Sequence, residues 1–416
     1  MRIAIWHNLP SGGAMRSLYY EVRELARRGH HVEIWCPPTA DRSFLPIGDL
    51  AAEHVVPFGW RDRRRRNPAA RLLAPYRDVV GKLAAMDEHC RRCAEQINRA
   101  GFDILFGNGC QLFRVTAISR YVDIPATNYL GEPYRWLYEA MPRLPWLAPE
   151  PAREHWREPV YWRARLRDEL RVRGLRVQMR EEVRNAWAYD TILVNSLYSR
   201  ESLLRAYGYD AKVRYPGVDT ELFARRDVPK SDYLIGVGAL VREKNVDFAI
   251  QAIGAMREPR PRLVWIGNVV VPGHLDYLRR QAQALGVTFE PKLRVGDAEL
   301  VDLLNRARAM LYAPRLEPFG LAPLEANACG LPVVAVAEGG VRETIQDGVN
   351  GLLVEHDPRA MAAALERLRD DPSFASQLGE RAYRFVHERW SLPASIDRLE
   401  RRFAETIELA RARGKR

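Results

Sequence analysis

Arg315–Pro332 reads RLEPFGLAPLEANACGLP and runs straight into VVAVAEGG at Val333–Gly340. Just upstream, Ala309–Pro314 is short and apolar, the pattern of a buried parallel strand. Pro323 falls in the first turn of the helix that follows, where its missing N–H costs nothing, and Gly330 and Pro332 close that helix. This order puts Glu317 on the loop leaving a strand and Glu325 about one turn into the helix. A chain that folds back at Pro318–Gly320 turns both carboxylates toward one pocket at the helix N-terminus. Free N–H groups around Gly320 and Leu321 suit an anion there, such as a phosphate. An acid pair beside such a turn can hold the hydroxyls of a sugar nucleotide while the amides hold its charge. Taken alone, two Glu on a helix-rich chain read equally as a solvated face.

The neighbouring residues decide between these readings. E-P-F-G-L-x-x-L-E-A-x-A-x-G-x-P-V-V-A, followed by G-G-x-x-E, resembles the nucleotide-sugar signature of the family 4 retaining glycosyltransferases. The resemblance covers most of the chain and is strongest from Tyr189 to Trp390. It implies the α/β GT-B architecture: two Rossmann-like domains facing across a cleft, with the C-terminal helix crossing back to the first. The expected division is an acceptor-binding domain at 1–216 joined by the helix 391–416, and a nucleotide-sugar-binding domain at 217–390.

The N-terminal half opens as strand, Gly loop, helix and strand. Arg2–Trp6 is a strand, His7–Gly13 a loop with Ser11-Gly12-Gly13, Ala14–Arg28 a helix stopped at Gly29, and Val32–Trp35 the next strand. The loop is not G-x-G-x-x-G and no acid ends the second strand, so a nicotinamide dinucleotide is not expected. The resemblance takes Gly13 toward the donor phosphates and Gly12 toward the acceptor, where a Cβ would obstruct backbone approach; a plain tight turn is the alternative. Further strands are expected at Val55–Phe58, Phe102–Phe106, Ile124–Leu130 and Ala188–Val194, with a long helix at Leu72–Ala100 and a charged loop at Arg61–Arg66. After the fourth strand, where the family typically carries a His against the donor sugar, this chain has Asn108 in the loop Gly107–Gly109. Relatives often read His-Glu-Pro where Gly131-Glu132-Pro133 stands. Gly131 and Glu132 are the implied acceptor-side residues, and the two lost His put the usual contacts in doubt.

Met141–Pro159 is rich in Pro and Trp, and Val160–Asn185 is a helix crowded with Arg. An Arg/Trp helix can lie on a membrane surface. Apolar Leu166, Leu170 and Val177 equally suit packing on its own domain, the preferred reading. Asn195-Ser196 precedes the helix Leu197–Tyr207, and Pro216–Asp219 reads as a hinge.

The second half repeats the pattern from Tyr233–Val237, with strands expected at Leu263–Ile266, Val287–Phe289 and Gly348–Val354, and a final helix at Pro393–Arg413. Relatives read G-R-L-x-x-x-K where this chain has Gly238-Ala239-Leu240-Val241-Arg242-Glu243-Lys244. Lys244 is in place, and Arg242 stands near the cation that Ala239 lacks. Cations near the diphosphate matter because the leaving group gains negative charge as the glycosidic bond breaks. The resemblance implies donor contacts by Gly13, Arg242, Lys244, Glu317, Phe319, Gly320, Leu321 and Glu325. It gives Glu325 the ribose hydroxyls, and Glu317, Lys244 and Asn108 the reacting sugar and leaving group. Gly339-Gly340 with Glu343 resembles a loop under the nucleotide, or is a bare turn.

At 416 residues and 47% hydrophobic content the chain can build two cored domains. The net charge of +11 favours acidic partners, although the Arg excess can equally reflect genomic bias. Five Cys without framework spacing point to a reducing compartment, and Cys90-x-x-Cys93 lacks the second pair that a zinc site needs. The chain starts at once with a strand, so no signal peptide is expected, and no apolar run reaches the ~20 residues of a membrane span. There is no D-x-D, so no metal or other cofactor is expected; Lys, Arg and a helix dipole serve the diphosphate.

The implied function is a cytoplasmic retaining hexosyltransferase, with peripheral attachment at the inner membrane face as an option. It would use a nucleotide-sugar, with a lean to GDP-mannose from G-A-L-V-x-x-K and a UDP-sugar as the other option. The acceptor is a glycan, a lipid-linked molecule or a small molecule, with contact to an anionic membrane as a further option. A catalytically silent sugar-nucleotide-binding or scaffold protein is the alternative, motivated by Asn108, Gly131 and Ala239. Nucleic-acid binding would rest on charge alone and is not expected.

Overall fold

Short apolar runs separated by amphipathic helices force strands that are buried on both faces, and both halves of the chain answer this with parallel sheets. The computed structural model describes residues 1–60, 67–138 and 155–415. The run Arg61–Arg66 and most of the Pro- and Trp-rich stretch Met141–Pro159 lie outside the described residues. The chain divides into unit 1 (residues 1–195, 199–214 and 399–416) and unit 2 (196–198 and 215–398).

Unit 1 carries β1 (Arg2–Asn8), β2 (His31–Cys36), β3 (Ala52–Val55), β4 (Ile104–Cys110), β5 (Ala126–Tyr129), β6 (Thr191–Val194) and β7 (Lys212–Val213). They line up as β3-β2-β1-β4-β5-β6-β7 with parallel pairing, so the strand order reverses between β1 and β4. Unit 2 carries β8 (Tyr233–Val237), β9 (Arg262–Gly267), β10 (Phe289–Leu293), β11 (Ala309–Tyr312), β12 (Val333–Val336) and β13 (Gly351–Val354). Their order, β10-β9-β8-β11-β12-β13, reverses between β8 and β11. Alternation along the unit 2 strands fills two cores: Ile235, Val264, Met310 and Val333 face one side, and Leu234, Leu263, Leu311 and Val334 the other. In open parallel sheets ligands gather beyond the C-terminal ends of the strands at such reversals.

The structure moves several expected boundaries. The third strand is Ala52–Val55 rather than Val55–Phe58, because Glu33 to Cys36 pair in register with Ala52 to Val55 and Pro57 has no N–H to continue the ladder. The strand expected at Val287–Phe289 begins at Phe289 and runs to Leu293 along β9. Gly107–Gly109 is strand, not loop: Gly107 pairs with both Trp6 and Asn128, and Cys110 pairs with Asn8. The long helix starts at Pro68, where the Asn67 side chain accepts a bond from the Ala69 N–H at 2.9 Å.

Two helices divide their length between environments. In Pro159–Trp187, Gln178, Glu182, Asn185 and Ala186 are buried, but Val160, Trp162 and Leu166 are exposed. Leu166 is therefore not a packing position, although Tyr161, in the first turn of the same helix, is buried. The last helix, Leu392–Ala412, does not belong wholly to the first domain as expected. Its start stays with unit 2, where the Leu392 N–H donates to the Val218 carbonyl at 2.8 Å. From Leu399 it belongs to unit 1: Phe403 meets Phe106 edge-on at 5.1 Å, Thr406 and Thr191 share a bond of 2.6 Å, and Glu400 takes Arg28 at 2.9 Å.

Candidate functional site

In unit 2 the loops that leave β8, β11 and β12 come together. Leu316, at φ 47°, turns the chain after β11, and Gly320, at φ 91°, opens the helix Leu321–Ala328. Gly320 has no side chain with which to cap that helix, so the first amides face outward without a side-chain partner at the cap position. The Gly339-Gly340 turn lies against the back of this loop. A Cβ on Gly340 would overlap the Pro318 carbonyl and one on Gly339 the Glu317 carbonyl, and the Gly340 N–H donates to Glu317 O at 2.8 Å. Glycine is required at both positions by close backbone approach. Glu343 is committed elsewhere, accepting from the Leu197 and Tyr198 N–H groups at 2.8 and 3.0 Å and from the Tyr215 hydroxyl at 2.8 Å.

Lys244 ends a short 3-10 turn, Arg242–Lys244, after β8. Its stem passes 3.3 Å from where a Cβ on Gly238 would sit, and its ammonium donates to Glu317 Oε2 at 2.7 Å. The Arg315 N–H bonded to Glu243 O at 2.9 Å ties the two loops together. Asn245, at φ 55°, donates to the Ala313 carbonyl at 3.0 Å and completes the seam. Beneath them lies Tyr312, the last residue of β11. Burial drives its phenol pKa far upward, and the neighbouring carboxylates of Glu317 and Glu325 push in the same direction. The neutral hydroxyl, near both carboxylates, thus marks where the two acids converge. Glu325 is itself largely buried within the helix.

The other expected donor residues fall out unevenly. Arg242 is exposed, and its side chain makes no hydrogen bond or ion pair among the described residues. Phe319 turns inward, its ring 5.5 Å from Trp390 and 6.3 Å from Tyr215. It anchors the loop, with its ring buried in the core of unit 2. Leu321 is half-buried at the helix start. Tyr312 is the residue that motif reading passed over. Its signal was positional, the C-terminal residue of a strand next to the order reversal.

The remaining candidates belong to unit 1. Gly12, at φ 134°, and Gly13 begin the helix Gly13–Arg27, and a Cβ on Gly13 would meet nothing within 4 Å. Asn108 sits inside β4, 5% exposed, and its amide Nδ2 has no partner among the described residues. The Gly131 carbonyl accepts from the Ser199 hydroxyl at 2.6 Å. Glu132 is paired with Arg114 at 3.2 Å and Arg135 at 3.7 Å. Also in unit 1, His7, Cys36 and Glu53 bring ligand-type atoms within 4.8 Å of one another. Burial holds the His7 imidazole neutral with its pKa lowered to about 4 and pushes the Cys36 thiol up to about 12, and Arg42 takes Glu53 at 2.6 Å. In that state the cluster is a core polar group.

A family model described as Glycosyltransferase Family 4 matches residues 11–222, over half of the chain, and one described as Glycosyl transferases group 1 matches 218–385. The chain belongs to glycosyltransferase family 4. Among similar proteins is a D-inositol 3-phosphate glycosyltransferase of Catenulispora acidiphila, 33% identical over 254 residues, 54% of this chain and 60% of the relative. The human alpha-1,3/1,6-mannosyltransferase ALG2 is 30% identical over 241 residues, 51% of this chain and 58% of the relative. The chain therefore spans less than two thirds of the length of these family members. Among solved structures, sucrose-phosphate synthase from Thermosynechococcus elongatus superposes with a TM-score of 0.69 at 16% identity, covering 97% of this chain and 99% of that one. That likeness establishes the GT-B fold of this family 4 chain: two Rossmann-like parallel-sheet domains.

Proposed function

We propose that this chain transfers a hexosyl group from a nucleotide-sugar to an acceptor hydroxyl, with retention and without a metal. The observation that carries the reading is the convergence of Glu317, Glu325 and Lys244 around Tyr312, beside the uncapped start of Leu321–Ala328. Lys244 spends one N–H on Glu317 and keeps two for diphosphate oxygens. The helix start and Arg242 add positive potential where the leaving group gains charge. Glu325 accepts from the two ribose hydroxyls and Glu317, bonded to Lys244, from those of the sugar. Asn108, with its unpartnered amide, is the unit 1 candidate for a neutral contact to the sugar.

In this mechanism the acceptor oxygen bonds to the anomeric carbon on the face from which the diphosphate departs. The electrons of the breaking C–O bond go to the diphosphate, whose oxygen takes the acceptor proton. No side chain is required as nucleophile, and the cations of this chain do the electrostatic work. The donors to test are GDP-mannose and UDP-hexoses, with glycan, lipid-linked and small-molecule acceptors. The relatives' printed names, one a mannosyltransferase and one an inositol phosphate glycosyltransferase, support hydroxyl acceptors.

The exposed side chains of Trp156, Val160, Trp162 and Leu166, interleaved in sequence with Arg157, Arg163, Arg165 and Arg167, support peripheral contact with an anionic membrane. No described helix is long and apolar enough to cross one. The five cysteines are all free and buried, which supports a reducing, cytoplasmic location.

The deciding experiment is a nucleotide-sugar panel read by thermal shift and then by nucleotide release or transfer in EDTA. Stabilisation by one donor with turnover in EDTA is expected. Donor binding without turnover on any acceptor would favour a silent binding protein, and turnover restored only by added Mg²⁺ or Mn²⁺ would overturn the metal-independent step.

A further inference from the structure

Unit 2 has a recess at the N-terminal ends of its strands. All its strands are parallel, and the Lys244 and Glu317 loops leave β8 and β11 at their C-terminal ends. Lys230, Arg308 and Pro332 come before the starts of β8, β11 and β12, and they line a cavity of about 710 Å³. The depth of the sheet separates the two places. β11 and β12 are each four residues long, roughly 13 Å at the usual rise per residue.

The charges around this cavity are lopsided. Five cationic side chains line it against two carboxylates, Asp227 and Glu380. Three of the cations are occupied: Arg225 with Glu380 at 2.5 Å, Arg308 with Asp232 at 2.9 Å, and Arg369 with Asp370 at 2.7 Å. The other two have no carboxylate. The Arg226 guanidinium makes no hydrogen bond or ion pair among the described residues, and Lys230 gives one N–H to the Asn305 carbonyl at 2.8 Å. Desolvation around the Lys230 ammonium lowers its pKa although the residue as a whole is exposed.

The segment bearing these cations is pinned in place. Asn305, 2% exposed, accepts from the Arg226 N–H at 2.7 Å and donates to the carbonyls of Ala224 at 3.1 Å and Val301 at 2.9 Å. A buried amide with both its ends committed fixes the backbone of Ala224–Lys230 against the helix Asp297–Arg306. Pro372, Ala375 and Ser376, at the start of the helix Pro372–Arg389, face the same space, and the Asp371 carboxylate caps that helix by accepting from the Phe374 N–H at 2.9 Å. The remaining wall is apolar, formed by Pro332, Leu368 and Tyr383.

We propose that this cavity binds a small phosphorylated molecule at a site separate from the Glu317–Lys244 loops, its phosphate on Arg226 and Lys230 and its body on the Pro332, Leu368 and Tyr383 wall. A lone inorganic anion would leave most of 710 Å³ empty, whereas a phosphorylated sugar or similar organic phosphate falls in the size range of ordinary ligand pockets.

The test is calorimetric titration of the full chain with a hexose 6-phosphate and, separately, with inorganic phosphate. Saturable binding is expected in the unchanged protein and equally in Glu325→Ala, with at least tenfold loss in Arg226→Glu. Arg226 is exposed, so Arg226→Glu should keep its unfolding temperature and its affinity for nucleotides. Lys230→Gln should weaken the phosphate as well, and Tyr383→Ala should weaken the hexose phosphate while leaving inorganic phosphate unaffected. The proposal is overturned if the unchanged protein does not bind, if Arg226→Glu binds as well as the unchanged protein, or if Glu325→Ala abolishes binding. It is also overturned if inorganic phosphate binds as tightly as the hexose phosphate, because the apolar wall would then have no part.

Discussion

Two ion pairs of nearly equal length show how differently the halves of this chain use charge. In unit 1 the Arg214 guanidinium meets Glu21 at 2.5 Å, with 0% and 3% of the side chains exposed. In unit 2 the Lys244 ammonium meets Glu317 at 2.7 Å, with 29% and 16% exposed. The first pair is sealed, with Tyr129 over the guanidinium at 5.4 Å and the Ser17 hydroxyl on Glu21 at 3.0 Å. Removing either partner strands a charge in the core, so this pair is locked for as long as unit 1 is folded. The second pair sits where water reaches it, has a small net stabilising effect, and can exchange one partner for a ligand's charge at little cost. Bond length does not separate a sealed pair from an accessible one, but burial does.

The largest effect that can break this comparison is acid. Burial lowers the pKa of His7 and of His89, both in unit 1, to about 4. Unfolded imidazoles take a proton near pH 6.5, so the unfolded state binds more protons below that value. Stability should be full above about pH 6.5 and fall as pH drops toward 4, by about 3 kcal/mol for each histidine. Hydrogen exchange across that window should show the amides of β1 and of the helix around His89 losing protection first. Uniform loss in both units would contradict it.

Next in size, Glu21→Ala should destabilise the protein by about 3–5 kcal/mol in a denaturant titration. A change under about 1 kcal/mol would mean that the pair is not sealed. Glu325→Ala should weaken nucleotide binding by roughly 1.5–3 kcal/mol through loss of charge-assisted bonds, with unchanged calorimetric affinity removing Glu325 from the ribose. Asn108→Ala should lower kcat more than it raises KM, by about 1 kcal/mol of transition-state stabilisation. Kinetics that do not move would leave Asn108 as a strand residue only. The smallest expected change is in stability for Lys244→Ala, about 1 kcal/mol or less, together with a marked loss of turnover. A large drop in unfolding temperature would make Lys244–Glu317 a structural pair after all.

The contrast also explains what was legible in the sequence. Ala309–Pro314 and Val333–Val336 read as buried parallel strands because apolar runs bounded by Gly and Pro have few other uses, and β11 and β12 lie there. Lys244 and Glu317 each read as a residue on a loop leaving a strand, but the ion pair between them joins loops 73 positions apart and was not expected. Nor was the role of Gly339-Gly340, since it depends on how closely one loop backs onto another. Asn108 was expected in a loop because Gly107 and Gly109 punctuate it, yet β4 runs on through it, and the glycines mark a register shift against β1 between Gly107 and Cys110. Leu166 fits a helical stripe that the structure leaves exposed, because periodicity shows which face is apolar and not what covers it. The buried Arg214–Glu21 pair joins residues far apart in the chain, and no local pattern announces it.

The shared last helix bears on how this molecule can be cut or recombined. Phe106 and Thr191 are buried, and each packs against a residue more than 200 positions downstream, Phe403 and Thr406 respectively. A fragment ending at the hinge would contain every strand of the first sheet and still leave that part of its core open to water. Such a fragment should be sticky and partly molten, and a synthetic peptide of residues 392–415 should bind it and restore cooperative unfolding. Swapping only unit 2 between relatives carries the same liability, because the seam of a working chimera must be crossed twice, at Tyr215 and again near Leu399.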